Sequence, residues 1–247
     1  SQRLRVVWYG MAAVLIFIAA LFPIMAIRGK AAFRMTHDMP LTIDGMDYMR
    51  YTRHIEAGTR SFFDLNDDYR IIRWLQENVQ GTPVIMEAQS EGSLYKYGGR
   101  ISITTGLPSV VGWDYHQRQQ RSVDPLPGLV NQRAANVNNF YLTTDIDAAV
   151  DMLRFYNVGY IIVSSYERER YGWQREQIDD SLEWVATEGL QKFDAMVLAG
   201  LLDVAFREGH AVVYEVNHDA LDAVMLARME LAYESESQRM LPQAGGG

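Results

Sequence analysis

Hydrophobic residues are concentrated at the start of the chain. Residues 6–27 form an uncharged apolar run with basic residues on both sides. About 20 apolar residues in a helix cross the hydrocarbon core of a bilayer, whereas a core helix of a globular domain carries a polar stripe. We therefore expect a transmembrane helix with basic flanks within residues 1–30, bent or frayed near Pro23. The nearly balanced basic flanks leave its orientation open.

Helical and strand periods alternate after this run. We interpret residues 31–63 as a juxtamembrane segment with one short amphipathic helix. A further helix then begins near Asp64 or Asn66, either of which can cap it, and its inner apolar residues are spaced three and four apart. These inner residues are Ile71, Ile72, Leu75 and Val79. Gly81 ends this helix, and Val84 to Met86 are expected to form a strand.

A second helix-then-strand unit follows. Thr144 is its expected cap, acidic residues favour its first turn, and Tyr160 to Val163 are expected to form a buried strand. Two such units predict a small parallel sheet. The remaining predicted elements are a helix over 188–198, an antiparallel hairpin of strands 202–206 and 211–216, and a terminal helix over 219–233.

These patterns predict an α/β protein. Its expected architecture is one N-terminal transmembrane helix followed by a small α/β domain with a mainly parallel sheet and a C-terminal antiparallel hairpin. The expected domain spans residues 64–216, and residues 217–247 form a terminal helix with a flexible glycine tail.

Charge and cysteine content exclude several classes of function. The 247 residues include 31 acidic and 23 basic side chains, which give a net charge of −8, and no cysteine. An acidic chain is a poor partner for nucleic acid, whose phosphates favour a basic face. The lack of cysteine excludes disulfides, thiolate metal sites and cysteine nucleophiles.

Candidate binding chemistry is concentrated between residues 87 and 121, where Ile101 and Ile103 lead into a Thr-Thr-Gly-Leu-Pro turn. Aromatic rings, amides and charged groups in this stretch can hold a sugar or a pyrophosphate head group. The candidate ligand-binding residues are Glu87, Tyr95, Tyr97, Arg100, Trp113, His116 and Gln119. The alternative interpretation is structural: Trp113 packs against the sheet and Arg100 pairs with Glu87 to hold the loop.

Other polar motifs have simpler interpretations. Asp145 and Asp147 resemble a two-carboxylate cation site, but a helix start explains both. Asp114 and His116 lack a third ligand at suitable spacing, so no metal site is expected. The charged residues 167–170 are expected to form a solvated loop.

Four segments together resemble a known family. They are LTIDGMDYM (41–49), DYRIIRWLQENVQGTPVIMEAQ (68–89), GRISITTGLPSVVGWDYHQRQQR (99–121) and LRFYNVGYIIV (153–163). They are similar to the YYY family of prokaryotic multi-pass membrane proteins, which resemble distantly the GT-C glycosyltransferases. The resemblance implies the C-terminal part of such a protein, with its soluble domain on the extracytoplasmic side of the cell membrane.

The resemblance also implies a function. The whole protein would be a GT-C-like glycosyltransferase that uses a polyprenyl-phosphate-linked sugar and a divalent cation, with its catalytic residues outside this chain. This chain would hold no cofactor and would not be catalytic alone. Its expected partners are the lipid bilayer, the remaining transmembrane helices of the parent protein and a glycan or lipid-linked sugar. The alternative is a non-enzymatic, membrane-anchored module that binds a glycan or a protein partner.

Overall fold

The computed structural model describes residues 2–34, 39–40, 42–90, 95–178 and 181–240. The chain divides into two units, residues 1–48 and 49–247. The predicted glycine tail lies outside the described residues. The boundaries expected from the sequence at residues 30, 63 and 216 stay predictions.

The first unit contains helix α1, Gln2–Arg34, of 33 residues. At 1.5 Å per residue it is about 50 Å long. Its apolar side chains are exposed, with Phe17 at 64% and Met25 at 72%, so it is not the core helix of a globular unit. Pro23 lies inside it, and the helix continues beyond this residue. Within the described ranges, α1 is the one helix long and apolar enough to cross a membrane.

The second unit contains the remaining strands and helices. In chain order they are β1 (Arg53–His54), β2 (Phe63–Asp64), α2 (Leu65–Asn78), β3 (Val84–Met86), α3 (Arg100–Thr105), α4 (Asp114–Gln120), α5 (Leu126–Leu142), α6 (Ile146–Phe155), β4 (Val158–Val163), α7 (Ser165–Tyr171), β5 (Trp173–Ile178), β6 (Ser181–Ala186), α8 (Lys192–Leu198), β7 (Leu202–Glu208), β8 (Ala211–Val216) and α9 (His218–Met240). Short 3₁₀ helices span Asp47–Arg50 and Gly189–Gln191.

The central sheet has four strands in the order β3-β4-β8-β7. Strands β3 and β4 are parallel, with Met86 opposite Ile161, and β8 runs antiparallel to both β4 and β7. The predicted α/β class with a C-terminal antiparallel hairpin is confirmed. The sheet is mixed rather than mainly parallel, because the hairpin supplies two of its four strands.

Helix α2 packs against β7 and β8. Asp64 caps it by accepting a hydrogen bond from the Asn66 amide at 2.9 Å, which satisfies one of the donors left open at a helix start. Of its four predicted inner residues, Ile71, Ile72 and Leu75 are buried, whereas Val79 is the residue after the helix and is only partly buried. Burying three such side chains stabilises the fold by roughly 1.5–3 kcal/mol each.

Helix α6 forms the second predicted unit with strand β4. Asp145, not Thr144, is its cap: the Asp145 carboxylate accepts the amides of Asp147 and Ala148 at 2.9 and 3.2 Å. The carboxylate is the stronger acceptor for the positive end of a helix. Asp147 pairs with Arg228 of α9.

One local expectation was wrong. Residues 167–170 lie in α7 rather than in a solvated loop, because Ser164 and Glu167 form a capping box that starts this helix. Ile101 and Ile103, for which the sequence predicts no clear element, belong to helix α3: Ile101 is buried and Ile103 is exposed.

Candidate ligand-binding site

Glu87 follows β3 directly and is completely buried. Its carboxylate accepts the backbone amides of Ile101 at 2.9 Å and Ser102 at 3.1 Å, in the first turn of α3. The acid thus caps a helix from a separate strand, and Gly99, the residue before α3, supplies no side chain for this purpose. The sequence makes Glu87 a candidate ligand-binding residue, and the structure gives it a capping role.

Arg100, at the start of α3, lies at the centre of a buried charge cluster. It donates from Nε to Asp68 Oδ2 at 3.0 Å and from Nη2 to Asp68 Oδ1 at 2.8 Å. It also donates to both oxygens of Glu167 at 2.8 Å and to Ser164 Oγ at 3.0 Å. Two bidentate carboxylate pairs use four of the five N–H donors of this guanidinium. Arg100 therefore joins α2, α3 and α7.

The pKa values of these groups follow from burial and from their distance to Arg100. Burial raises the pKa of Glu87, and Arg100 at 3.7 Å only partly offsets this. Burial also favours the neutral form of Glu167, but its paired contacts with Arg100 outweigh burial and lower its pKa. Burial alone would lower the pKa of Arg100, and the carboxylates of Asp68 and Glu167 raise it well above its ordinary value.

Tyr97 connects this cluster to the surface. Its hydroxyl donates to Asp68 at 2.8 Å, and its backbone amide donates to Glu56 at 2.8 Å. Its ring packs against Phe63 and edge-on against Tyr166. Tyr97 is half-buried, so it contributes to the packing around the cluster as well as to its rim.

A second group of aromatic residues lies at the surface and consists of Tyr95, Trp113 and His116. We call it the Tyr95 surface. The Tyr95 ring packs edge-on against Trp113, with centroids 4.9 Å apart, and its hydroxyl lies 2.8 Å from His116 Nδ1. Trp113 Nε1 donates to the Lys96 carbonyl at 3.0 Å, which fixes the indole. Half of Tyr95 remains exposed. These rings combine apolar faces with polar edges, as sugar binding requires.

The hydrogen bonds of His116 leave one donor on the Tyr95 surface. Gln120 Nε2 lies 2.8 Å from His116 Nε2, and an amide nitrogen can only donate. In the neutral imidazole, Nε2 therefore accepts, and Nδ1 carries the proton and donates to the Tyr95 oxygen. Among the described residues the Tyr95 hydroxyl has no acceptor for its own proton. It can donate to a ligand.

The structure thus divides the seven candidates into two groups. Glu87, Arg100 and Tyr97 belong to the interior cluster and its rim. The other four are on or near the surface: Tyr95 contacts both Trp113 and His116, and Gln119 is an exposed residue of α4. The structural interpretation, in which charged groups pair and rings pack inside the fold, describes the first group. The second group keeps the ligand-binding prediction.

Sequence reasoning missed two members of the interior cluster. Asp68 lies in the first turn of α2, where an acid is common for reasons local to the helix, and Glu167 was expected to be solvated, yet neither is exposed. The Ser164-to-Glu167 spacing is that of a capping box, so it was a local signal for α7. Their pairing with Arg100 has no local signal.

No group of three or more His, Asp or Glu side chains in the described part of the chain could hold a metal ion. The carboxylates of Asp68, Glu87 and Glu167 surround the Arg100 guanidinium, which supplies the positive charge at this position.

Comparisons with known proteins do not identify a family for this chain. No family model matches the chain, and no curated protein matches it. Among solved structures, the chain is similar to the C-terminal globular domain of an oligosaccharyltransferase from Archaeoglobus fulgidus. The match has 14% sequence identity and a TM-score of 0.36, and it covers 61% of this chain and 97% of that domain. The resemblance to the YYY family stays a prediction.

Proposed function

We propose that this chain is the membrane-anchored, extracytoplasmic domain of a GT-C-like glycosyltransferase and binds a lipid-linked sugar or glycan acceptor on the Tyr95 surface. Catalysis belongs to other parts of the parent protein, which would supply any divalent cation. The observation that carries the proposal is the contact of Tyr95 with both Trp113 and His116, which leaves an exposed ring and a hydroxyl proton without an acceptor among the described residues.

The anchor is supported by α1. Its apolar side chains have no cover within the described first unit, and its length exceeds the 30 Å of a hydrocarbon core. A bilayer, together with further helices of a parent protein, would bury them. The tether would hold the second unit close to lipid-linked substrates.

A binding role rather than catalysis is supported by the interior cluster. A general acid and base must reach the substrate, but Asp68, Glu87 and Glu167 are buried and already bonded within the fold. The exposed Tyr95 and Trp113 can offer faces and edges to a sugar. The sequence segments that resemble the YYY family support the glycosyltransferase context.

A binding measurement tests the proposal. The detergent-solubilised chain is titrated with a polyprenyl-phosphate-linked monosaccharide and with the polyprenyl phosphate alone. We expect tighter binding of the sugar-bearing lipid, and weaker binding after Tyr95→Ala. Tyr233→Ala, which removes an exposed tyrosine of α9, is the matched control. Equal affinities for the two lipids, or equal effects of the two variants, would contradict the proposal.

The absence of cysteine from the sequence allows a direct test of sidedness. Leu198 is 90% exposed, so Leu198→Cys presents a single thiol on the second unit, and Gln2→Cys presents one at the N-terminal end of α1. In intact cells an impermeant maleimide is expected to label Leu198→Cys and to label Gln2→Cys only after lysis. The reverse pattern would place the domain in the cytoplasm, and labelling of both positions in intact cells would show that α1 does not span.

A further inference from the structure

A second site lies away from the Tyr95 surface, beside the β5–β6 hairpin. A cavity of about 330 Å³ opens there between the hairpin, the end of α7 and the turn at residues 57–58. Its lining residues are Ala57, Gly58, Leu142, Arg170, Trp173, Gln174, Arg175 and Trp184. The volume falls at the lower end of the range of small-ligand pockets, about 300–1,000 Å³. We call it the hairpin cavity.

The strand register places both indoles of the hairpin cavity on one face of the hairpin. Trp173 pairs with Ala186 and Arg175 pairs with Trp184, so all four side chains project to the same side. Glu176 and Glu183 pair with each other one position along and project to the opposite side. Glu176 and Glu183 therefore do not neutralise the cationic face.

Two guanidiniums stack on the indoles. Arg60 lies 3.9 Å from the centre of the Trp173 ring, and Arg175 lies 4.7 Å from that of Trp184. A stacked guanidinium uses its flat face for the ring, and its N–H donors point outward in the plane. Stacking thus orients these arginines without using their hydrogen bonds.

The arginines in or beside the hairpin cavity lack carboxylate partners in the described part of the chain. Lining residues Arg170 and Arg175, and Arg60 beside Trp173, have no described carboxylate within 4 Å, whereas Arg118 and Arg228 have such partners. The Nε atom of Arg170 is buried and has no hydrogen-bond partner among the described residues. An unpaired buried donor is costly unless a ligand supplies its acceptor. In a chain with net charge −8, this concentration of unpaired arginine favours an anionic ligand.

A larger cavity of about 570 Å³, beside α2, is also rich in arginine. There Arg70 pairs with Glu208 and Arg73 pairs with Glu77, both at 3.4 Å. Its charges are therefore partly used within the fold. The hairpin cavity is therefore the better candidate for an anion, because its arginines have no carboxylate partner among the described residues.

We infer that the hairpin cavity binds an acidic saccharide, that is, a sugar ring bearing a carboxylate or a phosphate. The indoles of Trp173 and Trp184 supply apolar surface for the C–H face of the ring, and Arg170 and Arg175 supply donors for the acid group. The choice of a saccharide rests on the proposed function. The preference for an anion rests on the unpaired arginines of the hairpin cavity.

The test uses the whole chain in detergent micelles, with galacturonic acid trimer as the probe and neutral galactose trimer as its control. Calorimetry gives the affinities, and tryptophan fluorescence reports on the indoles. We expect the acidic trimer to bind roughly ten-fold more tightly than the neutral one, the size of one charge-assisted hydrogen bond. Arg175→Gln should weaken binding of the acidic trimer by about five-fold or more, for the same reason.

Arg207→Gln is the matched control, because Arg207 is an exposed arginine on edge strand β7. Both variants should keep the wild-type melting temperature, and Arg207→Gln should keep wild-type affinity. Equal binding of the two trimers, equal effects of the two variants, or no binding at all would overturn the inference. So would displacement by adenosine monophosphate at lower concentration than by glucose 1-phosphate, which would indicate a nucleotide site.

The two proposals fail separately. If Tyr95→Ala abolishes binding of the acidic trimer and Arg175→Gln does not, the Tyr95 surface binds the saccharide and the hairpin-cavity inference is wrong. If the acidic trimer binds at Arg175 but the lipid-linked sugar does not bind at Tyr95, the proposed function is wrong and the hairpin-cavity inference stands.

Discussion

The Arg100 guanidinium and the Glu167 carboxylate form a bidentate ion pair, with both N–O distances at 2.8 Å and neither side chain exposed beyond 5%. The same carboxylate accepts the backbone amides of Ala88 and Ser164 at 2.9 Å. Glu167 therefore connects three parts of the fold. Its backbone partners lie just after β3 and at the start of α7, and its ion-pair partner Arg100 lies at the start of α3.

The first prediction concerns this pair. Glu167→Gln leaves the buried charge of Arg100 with fewer partners, so we expect the free energy of unfolding to fall by about 3 kcal/mol. Urea titration of the detergent-solubilised chain, followed by circular dichroism, measures it. Glu230→Gln, which changes an exposed acid of α9, should change stability by less than about 0.5 kcal/mol. Similar losses in both variants would contradict a central role for the ion pair.

Glu87 predicts a dependence of stability on pH. Burial raises its pKa above the ordinary 4.5, so the folded state binds this proton more tightly than the unfolded state. The contribution of Glu87 to stability is therefore greatest below pH 4.5 and is lost as pH rises through the folded-state pKa. Relative to the wild type, Glu87→Gln should gain stability as pH rises above 4.5. A difference between the two proteins that stays constant with pH would show that the pKa of Glu87 is unshifted.

Local patterns predicted the elements around the site but not the cluster inside it. The spacing of Ile71, Ile72 and Leu75 predicts α2, and the apolar run before Ser164 predicts β4, because both signals lie within one element. The sequence separation of Asp68 from Arg100 is 32 residues and that of Arg100 from Glu167 is 67. Only the parallel arrangement of β3 and β4 brings these residues together.

Helix α5 shows a different reason for a missed element. Its buried residues Val130, Val137, Phe140 and Tyr141 follow a helical period, but asparagine and glutamine between them weaken the apolar stripe. The β5–β6 hairpin was missed because its strands are mostly polar and exposed. For that reason the aromatic and cationic face of the hairpin could be recognised only from the strand register.

Lys192 gives a second prediction on pH. It is buried, its ammonium donates to the Gly189 carbonyl at 2.8 Å, and burial lowers its pKa from 10.5 to about 7. Between pH 7 and 10.5 the unfolded state therefore binds a proton that the folded state has lost, and stability rises with pH. The slope is about 1.4 kcal/mol per pH unit.

Lys192→Met removes this proton, so its free energy of unfolding should lack the rise that the wild type shows between pH 7 and 9. Urea titrations of both proteins at each pH measure the difference. Parallel curves for the two proteins would show that Lys192 keeps its ordinary pKa in the fold.

Gly189 gives the last prediction, which rests on space alone. A Cβ atom added there would lie 2.3 Å from the Tyr141 carbonyl oxygen and 2.5 Å from that of Leu142, both backbone atoms at the end of α5. Backbone cannot move aside as a flexible side chain can, so Gly189→Ala should lower the free energy of unfolding by about 1–3 kcal/mol. Gly128, within α5, has open space at the same position, and Gly128→Ala should raise stability by about 0.5–1 kcal/mol because alanine loses less entropy in a helix. Thermal unfolding of the two variants beside the wild type measures opposite shifts. A gain in stability for Gly189→Ala would show that the 3₁₀ turn at Gly189 does not pack against the end of α5.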